Sequence, residues 1–270
     1  MNTIGIIGIG NMGSALIKGM LSNLIIQPNQ IFTYDIDTIR NNQFAADNNV
    51  IAADNLQTLV SSTDIIILAV KPDIAPNVLR TITPYLNKEK TLLSIVLGVK
   101  LETLAELTNN QAKYIRCMPN TPALVNEGMI CISFGDGFDD TERTFIEKLF
   151  LAVGKVEILP EKHLNAITAL TGSSPAYVFV FIEAMADAAV LSGIPRNIAY
   201  KLAAQSVLGS AKLVLETQKH PGELKDNVCS PAGSTIEAIR TLEKNGFRSA
   251  VIEAMIACNE KAYEISNKKG

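Results

Sequence analysis

The sequence predicts an α/β fold in two parts, a doubly wound and mostly parallel sheet over residues 1–159 followed by an all-helical domain over residues 160–270. Short segments rich in Ile, Leu and Val alternate with helix-length segments as far as residue 159, which is typical of a parallel sheet covered on both faces. Beyond Pro160 the pattern is helical throughout. The chain also exceeds the ~250 residues beyond which one core usually divides, so we expect two domains.

The predicted strands follow one another at βαβ spacing. The first leads into a segment with apolar residues at helical spacing, and the fourth, residues 65–70, is apolar at every position. A helix is predicted over residues 140–153, after a turn at 135–137. The full set of predicted strands is 3–8, 31–34, 50–52, 65–70, 91–96, 114–118, 129–134 and 156–159.

The helical domain is unusually apolar. Residues 176–190 and 200–215 carry hydrophobic side chains on more than one face. A helix that is apolar all round must be buried, and ~110 residues bury little surface by themselves. We therefore expect this domain to pack against its counterpart in a second chain; packing on the first domain alone is the alternative.

The composition argues against nucleic acid, membrane and metal as partners. The 24 basic and 27 acidic residues give a net charge of -3, without a run of like charge. No segment approaches the ~20 uninterrupted apolar residues of a membrane span, and the N-terminus lacks the basic leader of a signal peptide. Cys117, Cys131, Cys229 and Cys258 form no CxxC pair and lack a nearby histidine. We expect a cytoplasmic protein with reduced thiols and no metal, a nucleophilic Cys229 being the less favoured alternative.

A glycine-rich turn, Gly8-Ile9-Gly10-Asn11-Met12-Gly13, lies between the first strand and the first helix. It fits the pattern GxGxxG, in which the first glycine permits a tight turn, the second lets the backbone approach a pyrophosphate, and the third lets helix and strand pack closely. Free N–H groups at the helix start face the phosphates in such a turn. The pattern predicts a Rossmann domain that binds a nicotinamide dinucleotide, rather than a glycine-rich turn without a ligand.

An acidic residue, Asp35, ends the second strand about 20 residues beyond Gly13, where a carboxylate takes the ribose hydroxyls of NADH. This carboxylate would repel the 2′-phosphate of NADPH, yet Arg40 is near enough in sequence to offset it. Asp35 capping the following helix is the alternative. The sequence leaves the coenzyme open between NADH and NADPH.

Further coenzyme contacts are predicted where other strands end. Residues Ala69, Val70, Lys71 and Pro72 close the most hydrophobic strand, at the sheet edge where ligands of open α/β folds bind. The alternative for Lys71 is a solvated lysine after a strand. Asn55 begins the helical segment after the third strand and either caps that helix or reaches the ribose.

Three segments are rich in proline and small polar residues: 117–122, 171–177 and 220–235. Singly, each is equally compatible with an ordinary connecting turn. The last offers hydroxyls and free N–H groups just before a helix, which is a seat for a carboxylate. Neither histidine of the chain lies in a recognisable triad, so His220 is predicted to stabilise the loop or a helix start. Glu223 is predicted to cap a short helix rather than to act as a base.

Together with the glycine turn, these segments resemble the Δ1-pyrroline-5-carboxylate reductase family along the whole chain. The chain reads VKP after the fourth strand, MPNTP at 118–122, GSSPAY at 172–177 and HPGELKDNVCSPAGST at 220–235. The resemblance implies reduction of the cyclic imine to L-proline with NADPH or NADH, and a helical domain that forms an intertwined dimer, with decamers as a further assembly.

The resemblance also assigns site residues. It implies that Ser230, Gly233, Ser234 and Thr235 hold the substrate carboxylate, that Thr235 also lies near the imine nitrogen, and that Asn120 of the MPNTP loop belongs to the coenzyme side. Where many relatives have SPGG this chain has SPAG. We expect the methyl group of Ala232 to demand a negative φ, which a glycine at this position would not.

Two other functions remain as alternatives. A β-hydroxyacid dehydrogenase has a lysine followed four residues later by asparagine on a helix after a glycine-rich segment, and this pair is absent beyond Gly172. A non-catalytic dinucleotide sensor has no need of the carboxylate seat at 230–235.

Overall fold

The computed structural model describes residues 2–267 and divides the chain into two compact units. The first unit comprises residues up to Ser173 and from Cys258 onward, and the second comprises Ser174–Ala257. The first contains the predicted Rossmann-type sheet and the second contains only helices among its described residues.

Eight strands form one sheet in the order β3-β2-β1-β4-β5-β6-β7-β8, and every neighbouring pair is parallel except β6 and β7. The first six follow the order of a doubly wound dinucleotide-binding sheet. The strands are Ile4–Ile7 (β1), Ile31–Tyr34 (β2), Ile51–Ala52 (β3), Ile65–Leu68 (β4), Thr91–Ser94 (β5), Lys113–Met118 (β6), Gly128–Phe134 (β7) and Gly154–Ile158 (β8).

The helices of the first unit cover both faces of the sheet. In β4, Ile65 and Ile67 belong to one apolar core, and Ile66 and Leu68 belong to the other. This division explains why the strand is apolar at every position, since successive side chains of a strand point to opposite faces. The helices are Asn11–Ser22 (α1), Thr38–Asn48 (α2), Leu56–Ser61 (α3), Ala75–Ile82 (α4), Leu101–Leu107 (α5), Asp140–Leu151 (α6) and Leu164–Ile167 (α7), the last followed by a π-helical turn at Thr168–Gly172.

All eight predicted strands are present, and seven of them have shifted ends. The fourth ends at Leu68 rather than at residue 70, because its neighbour β1 ends at Ile7 and the chain there turns into the glycine segment. The last begins at Gly154 rather than at residue 156, since Gly154 already pairs with Gly128. A Cβ atom at Gly154 would lie 1.9 Å from the carbonyl oxygen of Gly128, so only glycine permits this pairing.

The second unit is built from helices separated by sharp breaks. Gly193, with φ +90°, and Pro195 separate the first two helices, which pack against each other. Gln218, at φ 53°, ends the second of them. The helices are Ser174–Leu191 (α8), Arg196–Thr217 (α9), Pro221–Val228 (α10), Ser234–Lys244 (α11) and Phe247–Asn267 (α12), the last of which ends in the first unit.

Large apolar side chains lie exposed on the second unit. Ala186 is the one buried residue recorded for α8, whereas Phe179 is 62% and Val180 is 66% exposed. On α9, Leu202 and Leu208 are each 56% exposed. Large apolar side chains exposed in this number are typical of an interface.

Among residues 2–267, one helical stretch, Glu161–Leu191, is long and apolar enough on average to cross a membrane. The stretch is not an uninterrupted apolar segment, because it contains Asn165, Glu183 and Asp187. A single stretch of this kind is weak evidence for a membrane span, because apolar helices of soluble proteins meet the same criterion.

Candidate active site

The glycine turn has the geometry that dinucleotide binding requires. Gly8 has φ +103°, and a Cβ atom on it would lie 2.5 Å from the carbonyl oxygen of Ala69. A Cβ atom on Gly13 would lie 2.2 Å from the carbonyl oxygen of Gly8. Gly10 differs, since a Cβ atom there would have no heavy atom within 4 Å. The first and third glycines are thus required by packing inside the protein, and the second leaves open space at the turn.

The start of α1 faces this open space, and within residues 2–267 no protein partner is recorded for its first N–H groups. Gly10 is the N-cap and offers no side-chain hydrogen bond, and the first helical turn has no acidic residue. The earliest N–H group bonded within the helix is that of Ser14, which donates to Gly10 O at 3.0 Å. The donors of Asn11, Met12 and Gly13 therefore remain for an anion, and the positive end of the helix dipole favours one.

Asp35 lies at the end of β2, directly beside the glycine turn. Its Oδ2 accepts a hydrogen bond from the N–H of Ile9 at 2.7 Å, and its Oδ1 accepts from the N–H of Asp37 at 3.0 Å and from Nη2 of Arg40 at 2.7 Å. Burial raises the pKa of this carboxyl, but the hydrogen bonds from Ile9, Asp37 and Arg40 outweigh that effect and hold it below its usual value. The alternative that Asp35 caps α2 is wrong, because Asp37 is the N-cap and accepts from the N–H of Arg40.

The other predicted coenzyme residues lie at strand ends of the same sheet edge or at a helix start. Ala69 packs against Gly8, and Val70 follows it half-buried. Lys71 and Pro72 are exposed at the carboxyl end of β4. Asn55 caps α3, with its Oδ1 accepting from the N–H of Thr58 at 2.8 Å, which agrees with the capping alternative.

Asn120 is buried, and both ends of its amide are used inside the first unit. Its Nδ2 donates to the carbonyl oxygen of Thr171 at 3.0 Å, and its Oδ1 accepts from the N–H of Met129 at 2.8 Å. Thr171 lies in the π-helical turn that precedes α8. The asparagine of the MPNTP loop therefore fixes the backbone of two other segments, a role that the sequence did not predict.

A buried charged group also escaped the sequence analysis. Arg116, on β6, is 1% exposed and lies within hydrogen-bond distance of Glu161 and Asn165. The row of polar residues opposite it in the sheet, Ser94 and Ser133, is the one available signal, since an arginine inside an apolar strand is otherwise read as exposed.

The second candidate turn precedes α11. Gly233 is the N-cap of this helix and provides no side-chain hydrogen bond, so the N–H groups of Ser234 and Thr235 have no helical acceptor. Within residues 2–267 no hydrogen bond is recorded for the hydroxyls of Ser230, Ser234 and Thr235. The turn thus presents backbone donors and hydroxyls of residues 230–235 together, as a carboxylate seat requires.

A carboxylate of the protein itself lies one turn along α11, and it is paired. Glu237 is bonded to Nε of Arg240 at 2.9 and 3.1 Å, and this hydrogen bonding lowers the pKa of Glu237. The pairing reduces the repulsion that Glu237 would exert on an anion at the helix start.

Two small residues set the shape of this turn. Ala232 adopts φ 58°, so the expectation that its methyl group would demand a negative φ is wrong. A Cβ atom on Gly233 would lie 2.4 Å from Oγ of Ser230, so glycine is needed there for packing.

Upstream, Nδ1 of His220 accepts from the N–H of Gly222 at 3.0 Å, which confirms that His220 stabilises the start of α10. Glu223 is not the cap; it pairs with Lys219 at 2.6 Å.

A cavity of about 530 Å³ lies elsewhere in the first unit, where β6 begins. Two of its polar side chains are engaged within the protein: Lys88 donates to the carbonyl of Asn110, and the hydroxyl of Tyr114 lies 2.6 Å from that of Thr108. No group of three or more potential metal ligands occurs among residues 2–267.

The sheet order, the glycine turn and the free start of α1 define a Rossmann-class dinucleotide-binding protein. Residues 3–98 match the family model described as NADP oxidoreductase, coenzyme F420-dependent, and residues 161–265 match the model for pyrroline-5-carboxylate reductase dimerisation. A pyrroline-5-carboxylate reductase of Escherichia coli (strain K12) is 48% identical, over 97% of this chain and 98% of its own length. A pyrroline-5-carboxylate reductase of Glycine max is 38% identical, over 98% of this chain and 96% of its own length. The chain belongs to the pyrroline-5-carboxylate reductase family.

Solved structures agree with this assignment. The structure of a pyrroline-5-carboxylate reductase from Coxiella burnetii has a TM-score of 0.92 at 30% identity, with 99% of each chain covered. That of the Plasmodium falciparum enzyme with NADP bound has a TM-score of 0.89 at 34% identity, with 98% of each chain covered. A 3-hydroxyisobutyrate dehydrogenase of Mycobacterium tuberculosis, at 13% identity and a TM-score of 0.52, shares the fold alone.

Proposed function

We propose that the chain reduces Δ1-pyrroline-5-carboxylate to L-proline with NADPH or NADH. The observation that carries this proposal is similarity to pyrroline-5-carboxylate reductases over nearly the whole chain, which includes both candidate turns. A β-hydroxyacid dehydrogenase is less well supported, because likeness to that class is limited to the fold. A sensor would not require the carboxylate turn at residues 230–235.

The residues of the first unit fit a nicotinamide coenzyme. The glycine turn offers space and free N–H donors for the pyrophosphate of the coenzyme, at Gly10, Asn11, Met12 and Gly13. The strand ends at Asp35 and at residues 69–72 offer contacts for the other parts of the coenzyme. We propose that Asn55 and Asn120 also line this side. When bound, the coenzyme supplies a hydride to the imine carbon. The protein's own part is to hold the dinucleotide in a fixed orientation and to keep water away from it.

The second unit provides the substrate side of the proposal. The N–H groups of Ser234 and Thr235, together with the hydroxyl of Ser230 and the turn at Gly233, hold the substrate carboxylate. The hydroxyl of Thr235 hydrogen-bonds the ring nitrogen as it changes from imine to amine. A protonated imine is already electrophilic, so positioning supplies most of the acceleration and no strong general acid is needed.

The division into a coenzyme domain, residues 1–159, and a substrate and dimerisation domain, residues 160–270, is part of this proposal. The exposed apolar side chains of α8 and α9 are proposed to be covered by a second copy of the chain rather than by lipid, with decamers as a further assembly. Dimerisation of this kind makes α8, the C-terminal part of residues 161–191, an interface helix. A cytoplasmic location without nucleic-acid partners agrees with the near-balanced charge of -3.

The direct test follows the loss of coenzyme absorbance with Δ1-pyrroline-5-carboxylate, using NADPH and NADH in parallel and identifying the product by chiral chromatography. We expect coenzyme oxidation in step with formation of L-proline. A 3-hydroxy acid with the oxidised coenzymes serves as the comparison, and turnover with it alone would favour the dehydrogenase alternative. Coenzyme binding without turnover of either substrate would contradict the proposal and favour a sensor.

A further inference from the structure

The loop that joins β5 to α5, residues 95–100, lies at the carboxyl edge of the sheet. It begins next to the end of β4, where the N–H of Ile95 donates to the carbonyl oxygen of Leu68 at 3.1 Å. Each half of a doubly wound sheet binds one mononucleotide of a dinucleotide. Because Asp35 follows β2, in the half formed by β1, β2 and β3, the loop belongs to the half that remains for the nicotinamide nucleotide.

The far end of this loop is held by a carboxylate from a distant segment. Lys100 is the N-cap of α5 and provides no side-chain hydrogen bond to the helix. In its place, Oε1 of Glu161 accepts from the N–H of Leu101, the first residue of α5, at 2.8 Å. Glu161 lies 60 residues further along the chain, after β8, and belongs to the same compact unit. The loop is therefore fixed to other segments of this unit at both ends.

Glu161 is itself held by a buried charge. The same Oε1 atom accepts from Nη1 of Arg116 at 3.2 Å, and Nη2 of Arg116 donates to Oδ1 of Asn165 at 2.7 Å. Arg116 is buried, and a buried guanidinium that loses its carboxylate is strongly destabilising, so the pair resists separation. One oxygen atom thus connects the most deeply buried cation of β6 to the backbone that follows the loop.

We infer that Glu161, anchored by Arg116, is a positioning residue for hydride transfer, because it holds residues 95–100 in the conformation that receives the nicotinamide half of the coenzyme. The inference rests on the proposed function, since it concerns how the coenzyme is oriented in the same reaction. Glu161 acts through the N–H of Leu101 and does not touch the reacting atoms. A displacement of about 1 Å at a reacting centre can lower the rate about 100-fold, so a bond that fixes this loop affects kcat from a distance.

Two substitutions of Leu101 separate the hydrogen bond from the side chain. Leu101→Pro removes the N–H donor but leaves the ion pair of Glu161 intact. Proline is tolerated at the first position of a helix, and the extended ψ of 160° at Lys100 suits a proline after it. Leu101→Ala also loses the leucine side chain but keeps the N–H, so it is the reference for Leu101→Pro.

Binding and turnover of these two variants give the test. We expect Leu101→Pro to bind the intact coenzyme about ten-fold more weakly than Leu101→Ala, and to have a kcat about ten-fold lower at an equal KM for the imine. Calorimetry with 2′,5′-ADP and 5′-AMP, fragments that lack the nicotinamide half, should give affinities that differ by less than about two-fold between the variants. A role in general stability would instead weaken the binding of fragments and intact coenzyme alike.

Glu161→Gln separates positioning from stability. Glutamine retains an oxygen that can accept from Leu101 and from Arg116, but it lacks the charge that the buried guanidinium requires. This variant should therefore be less stable than Leu101→Pro in urea unfolding and yet bind the intact coenzyme several-fold more tightly than Leu101→Pro does. A structural role alone predicts the same order for stability and affinity.

The outcomes distinguish this inference from the proposed function. Equal coenzyme affinity and equal kcat in the two Leu101 variants would overturn the inference, as would a loss of fragment affinity as large as the loss of coenzyme affinity. Either result leaves imine reduction by the wild type intact. The expected differences in coenzyme binding, without imine reduction by the wild type, would overturn the proposed function while the role of Glu161 in holding the coenzyme stands.

Discussion

The buried guanidinium of Arg116 lies 3.2 Å from the carboxylate of Glu161, and its other terminal nitrogen donates to Asn165 at 2.7 Å. Glu161 also accepts from the N–H of Leu101 at 2.8 Å. One glutamate thus connects β6, the start of α5 and the segment that follows β8. Burial lowers the pKa of Arg116, and the pairing with Glu161 opposes that shift.

The two members of this pair should differ in what their removal costs. Glu161→Gln leaves a guanidinium that is 2% exposed without its carboxylate, and we expect a loss of about 3 kcal/mol in the free energy of unfolding. Arg116→Met removes the buried charge, together with an Nε for which the described part of the chain offers no partner, and leaves Glu161 28% exposed to be solvated. The loss in the free energy of unfolding should be smaller for Arg116→Met, about 1 kcal/mol. Urea unfolding measures both, and a larger loss for Arg116→Met would show that packing outweighs charge here.

Adjacent substitutions in the substrate turn should have opposite effects. Ala232→Gly removes the strain of a non-glycine residue at φ 58°, and should raise the free energy of unfolding by about 0.5–1 kcal/mol without changing kcat/KM. Gly233→Ala places a methyl group 2.4 Å from Oγ of Ser230, so it should lower stability and raise KM for the imine. Thermal unfolding and steady-state kinetics check both, and a less stable Ala232→Gly protein would refute the strain argument.

The hydroxyl of Thr235 is expected to act in the reaction and not in folding. Thr235→Ala should lower kcat/KM for the imine by about 10- to 100-fold, because one hydrogen bond to the changing nitrogen is lost. The melting temperature and the coenzyme affinity should not change, since no hydrogen bond to this hydroxyl is recorded within residues 2–267. Thr235→Ser retains the hydroxyl and should recover most of the rate. An unchanged rate in the alanine variant would remove Thr235 from the mechanism.

The four cysteines should differ in reactivity. Burial and then the neighbouring Cys131 raise the pKa of Cys117 well above its usual value, and burial and then Glu157 raise that of Cys131. A disulfide reagent at mildly alkaline pH should therefore leave these two unmodified in the folded protein and modify all four after denaturation, because the thiolate is the reactive form. Mass spectrometry of modified peptides identifies the sites. Rapid native modification of Cys117 would mean that the sheet opens there.

The exposed face of α8 should control assembly. Val180→Glu places a charge on a residue that is 66% exposed in the single chain, and we expect it to dissociate oligomers because a charge buried in an apolar interface is costly. The matched control is Leu24→Glu, at an 88% exposed residue of the first unit, which should leave assembly unchanged. Sedimentation velocity distinguishes the two. Dissociation by the control, or by neither variant, would count against an interface at α8.

The strands and the glycine turn were accessible to sequence analysis because each has a local signal. Apolar runs such as residues 65–70 need only their own composition, and GxGxxG needs only its neighbouring strand and helix. Strand ends were less accessible. The end of β4 at Leu68 depends on where β1 turns, more than fifty residues earlier in the chain.

The roles of polar residues were harder to derive, because they depend on partners far away in sequence. Asn120 is bonded to Thr171, and Arg116 to Glu161 and Asn165, contacts that no local pattern encodes. The sequence predicts Asp35 at the end of the second strand, but its hydrogen bond to Ile9 and its pairing with Arg40 follow from the three-dimensional arrangement. His220 was predictable, because a histidine directly before Pro-Gly at a helix start has its cap partner two residues away.

The two borders of the sheet restrict how copies of the chain can associate. At one border β3 is two residues long, and at the other β8 exposes the charged side chains of Lys155 and Glu157. Short or charged edge strands resist the addition of a foreign strand. Association of copies through backbone pairing is therefore disfavoured at both borders. Side-chain contacts between helices remain as the way for copies to associate, and the shape and symmetry of those contacts limit the number of copies.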